Sequence, residues 1–67
     1  MNKDVFEGKW SQIKGKITEE WGELTNDEVD QVNGKFDQLA GKLQEKYGYS
    51  KDDAASKINN FLDRCNC

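Results

Sequence analysis

Apolar residues in this chain return every three or four positions, and the rhythm holds through three stretches. Phe6, Trp10, Ile13, Ile17, Trp21 and Leu24 step by four, three, four, four and three. At about 100° per residue they fall in one sector, the buried stripe of an amphipathic helix. Asn2 or Asp4 can cap this helix, and Gly22 is a stop signal. Val29, Val32, Phe36, Leu39, Leu43 and Tyr47 continue by three, four, three, four and four. Thr25-Asn26-Asp27-Glu28 before them is a capping-box sequence, and its two acids suit the positive end of a helix. Asn33-Gly34 is a turn dipeptide at which the segment could split. The stripe keeps its phase straight through it, so the spacing predicts one long, bent helix from about 26 to 47, ended by Gly48. Ser50, with Asp52 and Asp53 behind it, opens a third helix with the stripe Ala54, Ile58, Phe61, Leu62 and Cys65. No stretch alternates as a strand would. The fold class is all-α: a small bundle of three main helices, with room for a split into four or five.

The first two stretches share more than a period. Gly8–Gly22 reads GKWSQIKGKITEEWG and Gly34–Gly48, 26 positions later, reads GKFDQLAGKLQEKYG. Seven of the fifteen positions are identical, and Trp10/Phe36, Ile13/Leu39, Ile17/Leu43 and Trp21/Tyr47 are like-for-like exchanges. A fixed internal period points to one supersecondary unit used twice, here two units related by a pseudo-twofold. Trp10 and Phe36 are then equivalent core positions, and truncating either is expected to unfold most of the domain.

Composition qualifies this picture without overturning it. The chain has 67 residues, 34% of them apolar and 34% charged, and a mean hydropathy of −1.03. Such values lie toward disorder, but two Trp, two Tyr and three Phe fall at helical spacing, so a thin core can assemble. One domain over residues 1–64 is expected, with residues 65–67 as a cysteine-containing tail. No apolar run approaches the roughly 20 residues of a membrane span, and the first residues have no signal-peptide core. A cytoplasmic, membrane-free protein is the expectation.

The six glycines form two heptads, Gly8, Gly15, Gly22 and Gly34, Gly41, Gly48, on the face opposite the aromatic stripe. A glycine inside a helix costs about 1 kcal/mol relative to alanine. The regularity of Gly15 and Gly41 predicts that a helix backbone packs against at least one of them. Lysines follow four of the glycines, giving Gly8, Lys9, Gly15, Lys16, Gly34, Lys35, Gly41 and Lys42 as a candidate interaction face. These are not phosphate loops, because such loops set their glycines in a turn before a helix. The four lysines read as a solvated face paired with Glu19, Glu20, Glu23 and Glu45.

Candidate chemistry is sparse. There is no His and the net charge is −3, which removes the usual general base and disfavours nucleic acid as a partner. Trp10, Trp21, Phe36 and Tyr47 beside lysines could stack on bases, but their spacing marks them as core. The paired acids Asp27/Glu28 and Asp52/Asp53 are explained by capping. Cys65-Asn66-Cys67 supplies two thiolates where tetrahedral zinc needs four ligands, so only a dimer could complete a site. The chain is expected to be monomeric, with a disulfide-linked dimer on oxidation. No catalytic residue, cofactor, metal or small-molecule substrate is assigned; the chain is expected not to be an enzyme.

The paired G-K-x-x-x-aliphatic-x-G-K blocks and the junction Tyr47-Gly48-Tyr49-Ser50-Lys51-Asp52 resemble the CsbD-like family of small bacterial proteins. The similarity spans about residues 1–62. It implies an all-helical cytoplasmic protein associated with the bacterial general stress response, without enzymatic activity or a defined site. A protein-interaction or regulatory module using the Gly/Lys face is the alternative, and a nucleic-acid-binding helical domain a weaker one.

Overall fold

The computed structural model describes residues 3–65 and contains five helices: α1 (Lys3–Gly8), α2 (Trp10–Glu20), α3 (Asn26–Val32), α4 (Phe36–Tyr47) and α5 (Lys51–Cys65). Among the described residues there is no strand. The Asn2 cap lies outside the described residues; Asp4 sits in the first turn of α1 rather than before it. The hydrophilic composition still yields a closed fold, with a radius of gyration of 10.5 Å against about 11 Å for a folded chain this long.

The expected long helix over 26–47 is two helices. Asn33 (φ 48°) and Gly34 (φ 79°) are successive left-handed residues, and the Lys35 N–H closes the turn on the Val32 carbonyl at 3.0 Å. Left-handed backbone is open to glycine and tolerated by asparagine, so this dipeptide is the chemistry the turn requires. The apolar phase survives because periodicity reports which side chains meet the core, not the direction of the axis. After the turn α4 runs back along α3 as an antiparallel hairpin: Lys42 Nζ donates to Gln31 Oε1 at 2.8 Å, and Lys46 pairs with Glu28 at 3.0 Å. The first stretch is also split, at Lys9, whose φ of −97° and ψ of 4° leave helical geometry while its N–H still reaches the carbonyls of Val5 and Phe6.

The helix starts at 25 and 50 are as the sequence implies. Thr25 Oγ1 accepts from the Glu28 N–H at 3.2 Å, and the Glu28 carboxylate accepts from the Thr25 N–H at 3.1 Å, a complete capping box. Ser50 Oγ accepts from the Asp53 N–H at 3.1 Å. Gly48 ends α4 in the left-handed region, at φ 72°.

α2 and α4 begin 26 residues apart and bury corresponding residues: Ile13, Ile17, Leu39 and Leu43 are fully inaccessible. Their ends differ. Trp21 leaves α2 in extended backbone and is buried, its ring 5.1 Å from that of Phe61. Tyr47 stays half-buried, and its hydroxyl accepts the Glu23 N–H at 3.2 Å. Trp10 and Phe36 are half-buried against the core rather than inside it. The ring at the centre is Phe6, fully buried, with Trp10 at 5.6 Å and Phe36 edge-on at 5.8 Å. α5 closes the fold through Ala54, Ile58, Phe61 and Leu62, all buried.

Candidate functional site

The proposed Gly/Lys face separates into unlike environments. Each heptad places its first glycine at a helix break (Gly8, Gly34) and its last just beyond a helix (Gly22, Gly48), and of these four Gly34 and Gly48 take the left-handed backbone that glycine favours. Gly15 and Gly41 lie mid-helix, and a methyl built on either meets nothing within 4 Å. The expected helix approach on these two glycines is therefore absent; the space beside them is open. Gly34 differs from the rest in being buried, with an added Cβ 3.4 Å from Trp10 Cγ. Gly8, Gly15 and Gly41 stay exposed, so the eight residues do not form one continuous glycine surface.

The opposite environments give opposite expectations. Gly15→Ala and Gly41→Ala should each stabilise by about 0.5–1 kcal/mol, through helix propensity and a less disordered unfolded chain. Gly34→Ala must hold a Cβ at φ 79° and should cost about 1–2 kcal/mol of left-handed strain; its contact with Trp10 is ordinary van der Waals distance and adds little. Urea melts of the three variants read the signs directly. A destabilised G15A or G41A would mean that something does pack on that face.

The lysines are likewise divided. Lys16 lines an open cleft of about 240 Å³ with Glu19, Glu20, Phe61 and Arg64. Lys35 lines a second, of about 290 Å³, with Glu7, Gly34, Phe36, Asp37 and Gln38. Lys42 is tied to Gln31. The pairing expected between the lysine face and Glu19, Glu20, Glu23 and Glu45 is replaced at Glu20, whose carboxylate holds Arg64 of α5, and the Lys46–Glu28 bridge joins α4 to the start of α3. No local spacing rule reveals Arg64–Glu20, which joins residues 44 apart, or the Tyr47 hydroxyl on Glu23; both follow from how the helices stack. Each cleft mixes acid and base at a shallow surface, suited to weak polar contact and not to excluding water around a reaction.

Among the charged groups, Glu28 has the most defined surroundings. The Thr25 N–H and the Lys46 ammonium hold its carboxyl below the usual value, against a smaller opposing effect of desolvation; Lys46 is raised in turn, mainly by Glu28. A depressed carboxyl contributes stability above its unfolded pKa and loses it as pH falls through the folded one. The melting midpoint should therefore drop on acidification below the ordinary carboxylate range, and Glu28→Gln should flatten that acid limb. An unchanged limb would show that the capping box is energetically silent.

Among the described residues no group of three or more His, Cys, Asp or Glu is placed to hold a metal, and no helix is long and apolar enough to cross a membrane. The side chains of the Cys65-Asn66-Cys67 ending lie outside the described residues.

Comparison with known proteins places these features in a family. The model of the CsbD-like family matches residues 4–56. A UPF0337 protein of Pseudomonas aeruginosa is 59% identical over 29 residues, covering 43% of this chain and 45% of the relative. One of Rhizobium meliloti is 50% identical over 32 residues, 48% of this chain and 46% of the relative. The UPF0337 protein YjbJ of Escherichia coli K12 is 55% identical over 29 residues, 43% of this chain and 42% of the relative. The matched stretch thus spans less than half the length of each of these relatives.

Proposed function

The chain belongs to the CsbD-like family, and from that premise we propose that it is a non-enzymatic cytoplasmic protein of the bacterial general stress response, acting by loose, hydrated contact with other macromolecules. The observation that carries this reading is the division of the surface. Fourteen hydrophobic residues form the buried core, and Val5, at 41% exposure, is the large hydrophobic left outside among the described residues. What faces solvent is mainly mixed charge and bare helix backbone at Gly15 and Gly41, with Trp10, Phe36, Tyr47 and Tyr49 showing only one side. Such a surface supports many weak contacts and no tight one, because specific interfaces rest on a buried aromatic or aliphatic centre.

The test is a pull-down from stressed cells with a lysine-reactive crosslinker and increasing amounts of chain. Diffuse, non-saturating capture across many proteins is expected. Capture of one saturable partner would replace this reading by the second one, an interaction module using the exposed faces around Gly15, Lys16, Gly41 and Lys42; the open space beside both glycines favours that alternative. Salt-sensitive retention on DNA would instead indicate a nucleic-acid binder.

A further inference from the structure

Tyr47 closes α4, and Tyr49 follows one residue beyond Gly48. Because Gly48 is left-handed at φ 72°, ψ 20°, the chain doubles back and lays the second ring on the first. The centroids are 5.4 Å apart and the planes within 9° of parallel. Both residues are half-buried, so the pair is anchored yet open to small solutes. Tyr47 is held further by the Glu23 N–H on its hydroxyl oxygen, and Tyr49 by Lys57, whose Nζ lies 5.6 Å from the ring centroid. The other close ring pairs among the described residues are tilted or edge-on and contain no phenol.

We propose that Tyr47 and Tyr49 form an oxidative cross-linking site, at which a one-electron oxidant converts the pair to an intramolecular dityrosine. Each phenol gives up one electron and one proton to become a neutral phenoxyl radical, with spin on the ring carbons ortho to oxygen. Two such carbons form a C–C bond, and the two hydrogens they carried move to the oxygens as the rings regain aromaticity. The net change is loss of two electrons and two protons, which persulfate accepts as it is reduced to two sulfates, the protons passing to buffer. The new bond forms from π lobes that stand perpendicular to each ring, so parallel stacked rings present the orbitals that must overlap. The Lys57 charge opposes a ring radical cation, which makes loss of the phenolic proton part of the oxidation. Indoles compete for the oxidant, but Trp21 is buried, and at neutral pH a radical on an indole passes to a phenol that can release its proton. The product would fix the end of α4 to the start of α5 across Gly48.

The experiment uses the full chain with its thiols capped, oxidised by a photogenerated ruthenium(III) complex with persulfate as terminal acceptor. A monomeric product lighter by two hydrogens, with blue dityrosine fluorescence and a cross-linked peptide joining Tyr47 to Tyr49, is expected. Tyr49→Phe, which keeps the stacked ring but leaves Tyr47 as the chain's one phenol, should abolish the monomeric dityrosine. Unfolding the chain in guanidinium should lower the dityrosine yield several-fold, as pre-arranged geometry is lost. Cross-links found only between chains, oxidation confined to the indoles, a monomeric product two hydrogens lighter that persists in Tyr49→Phe, or a dityrosine yield unchanged by unfolding would overturn the proposal.

Discussion

Phe6→Ala should leave the chain largely unfolded at room temperature. Phe6 is fully buried and is the common neighbour of Trp10 and Phe36. Truncating such a ring typically costs 3–5 kcal/mol, and a single core in a chain this short supplies about 3–5 kcal/mol in all. The change also removes the support on which two half-buried rings rest, so collapse around the gap is poor. Far-UV circular dichroism at 25 °C checks this: near-complete loss of helix signal is expected. Trp10→Ala and Phe36→Ala should each cost less, since both rings already face solvent on one side. If F6A melts no lower than W10A or F36A, the centre of the core has been placed wrongly.

The second large effect is a matched pair. Ile17→Ala and Leu43→Ala each remove methyl groups from fully inaccessible positions, one in α2 and one in α4, for an expected 2–5 kcal/mol apiece. Both should move the urea midpoint to the edge of the folded baseline. Because α4 lies between α3 and α5, Leu43 has less freedom to be compensated by collapse, and its loss should be the larger. Comparing the midpoints by fluorescence and circular dichroism settles the ranking. An Ile17→Ala variant with wild-type stability would show that α2 is held by its ends and not by its stripe.

Much of this architecture is legible in the chain because helix faces and helix starts are local. Most of the residues assigned to the stripes are buried, with Trp10, Phe36 and Tyr47 half-buried against them, and the Thr25 and Ser50 caps make the bonds their spacing implies. What the spacing could not show is where an axis turns. The break at Asn33-Gly34 preserves the apolar phase, so the local dipeptide was the better guide and the longer pattern misled. The glycine heptads misled in a different way. Their regularity suggested packing, whereas Gly15 and Gly41 face open space and the outer glycines are used where the helices break or stop. The candidate face was legible only as a set of residues. Lys42 turning to Gln31 and Glu20 turning to Arg64 depend on neighbours contributed by distant sequence.

The long-range tie between Arg64 of α5 and Glu20 bears on how the molecule assembles. The α3–α4 hairpin is fastened by the Lys42–Gln31 contact, 11 residues apart, and by the wider Lys46–Glu28 bridge, whereas Arg64 meets Glu20 across 44. Closing a loop roughly two to four times longer costs about 0.8–1.2 kcal/mol more in chain entropy, so the hairpin is expected to form first and the end of α5 to dock last. By the same reasoning it is the first part to leave. Transient release would bare Trp21 and Phe61 together, and hydrogen exchange in α5 should run ahead of exchange in α4. Such a hinged minor form would add the Trp21 and Phe61 rings, buried in the closed fold, to the surface that other molecules meet.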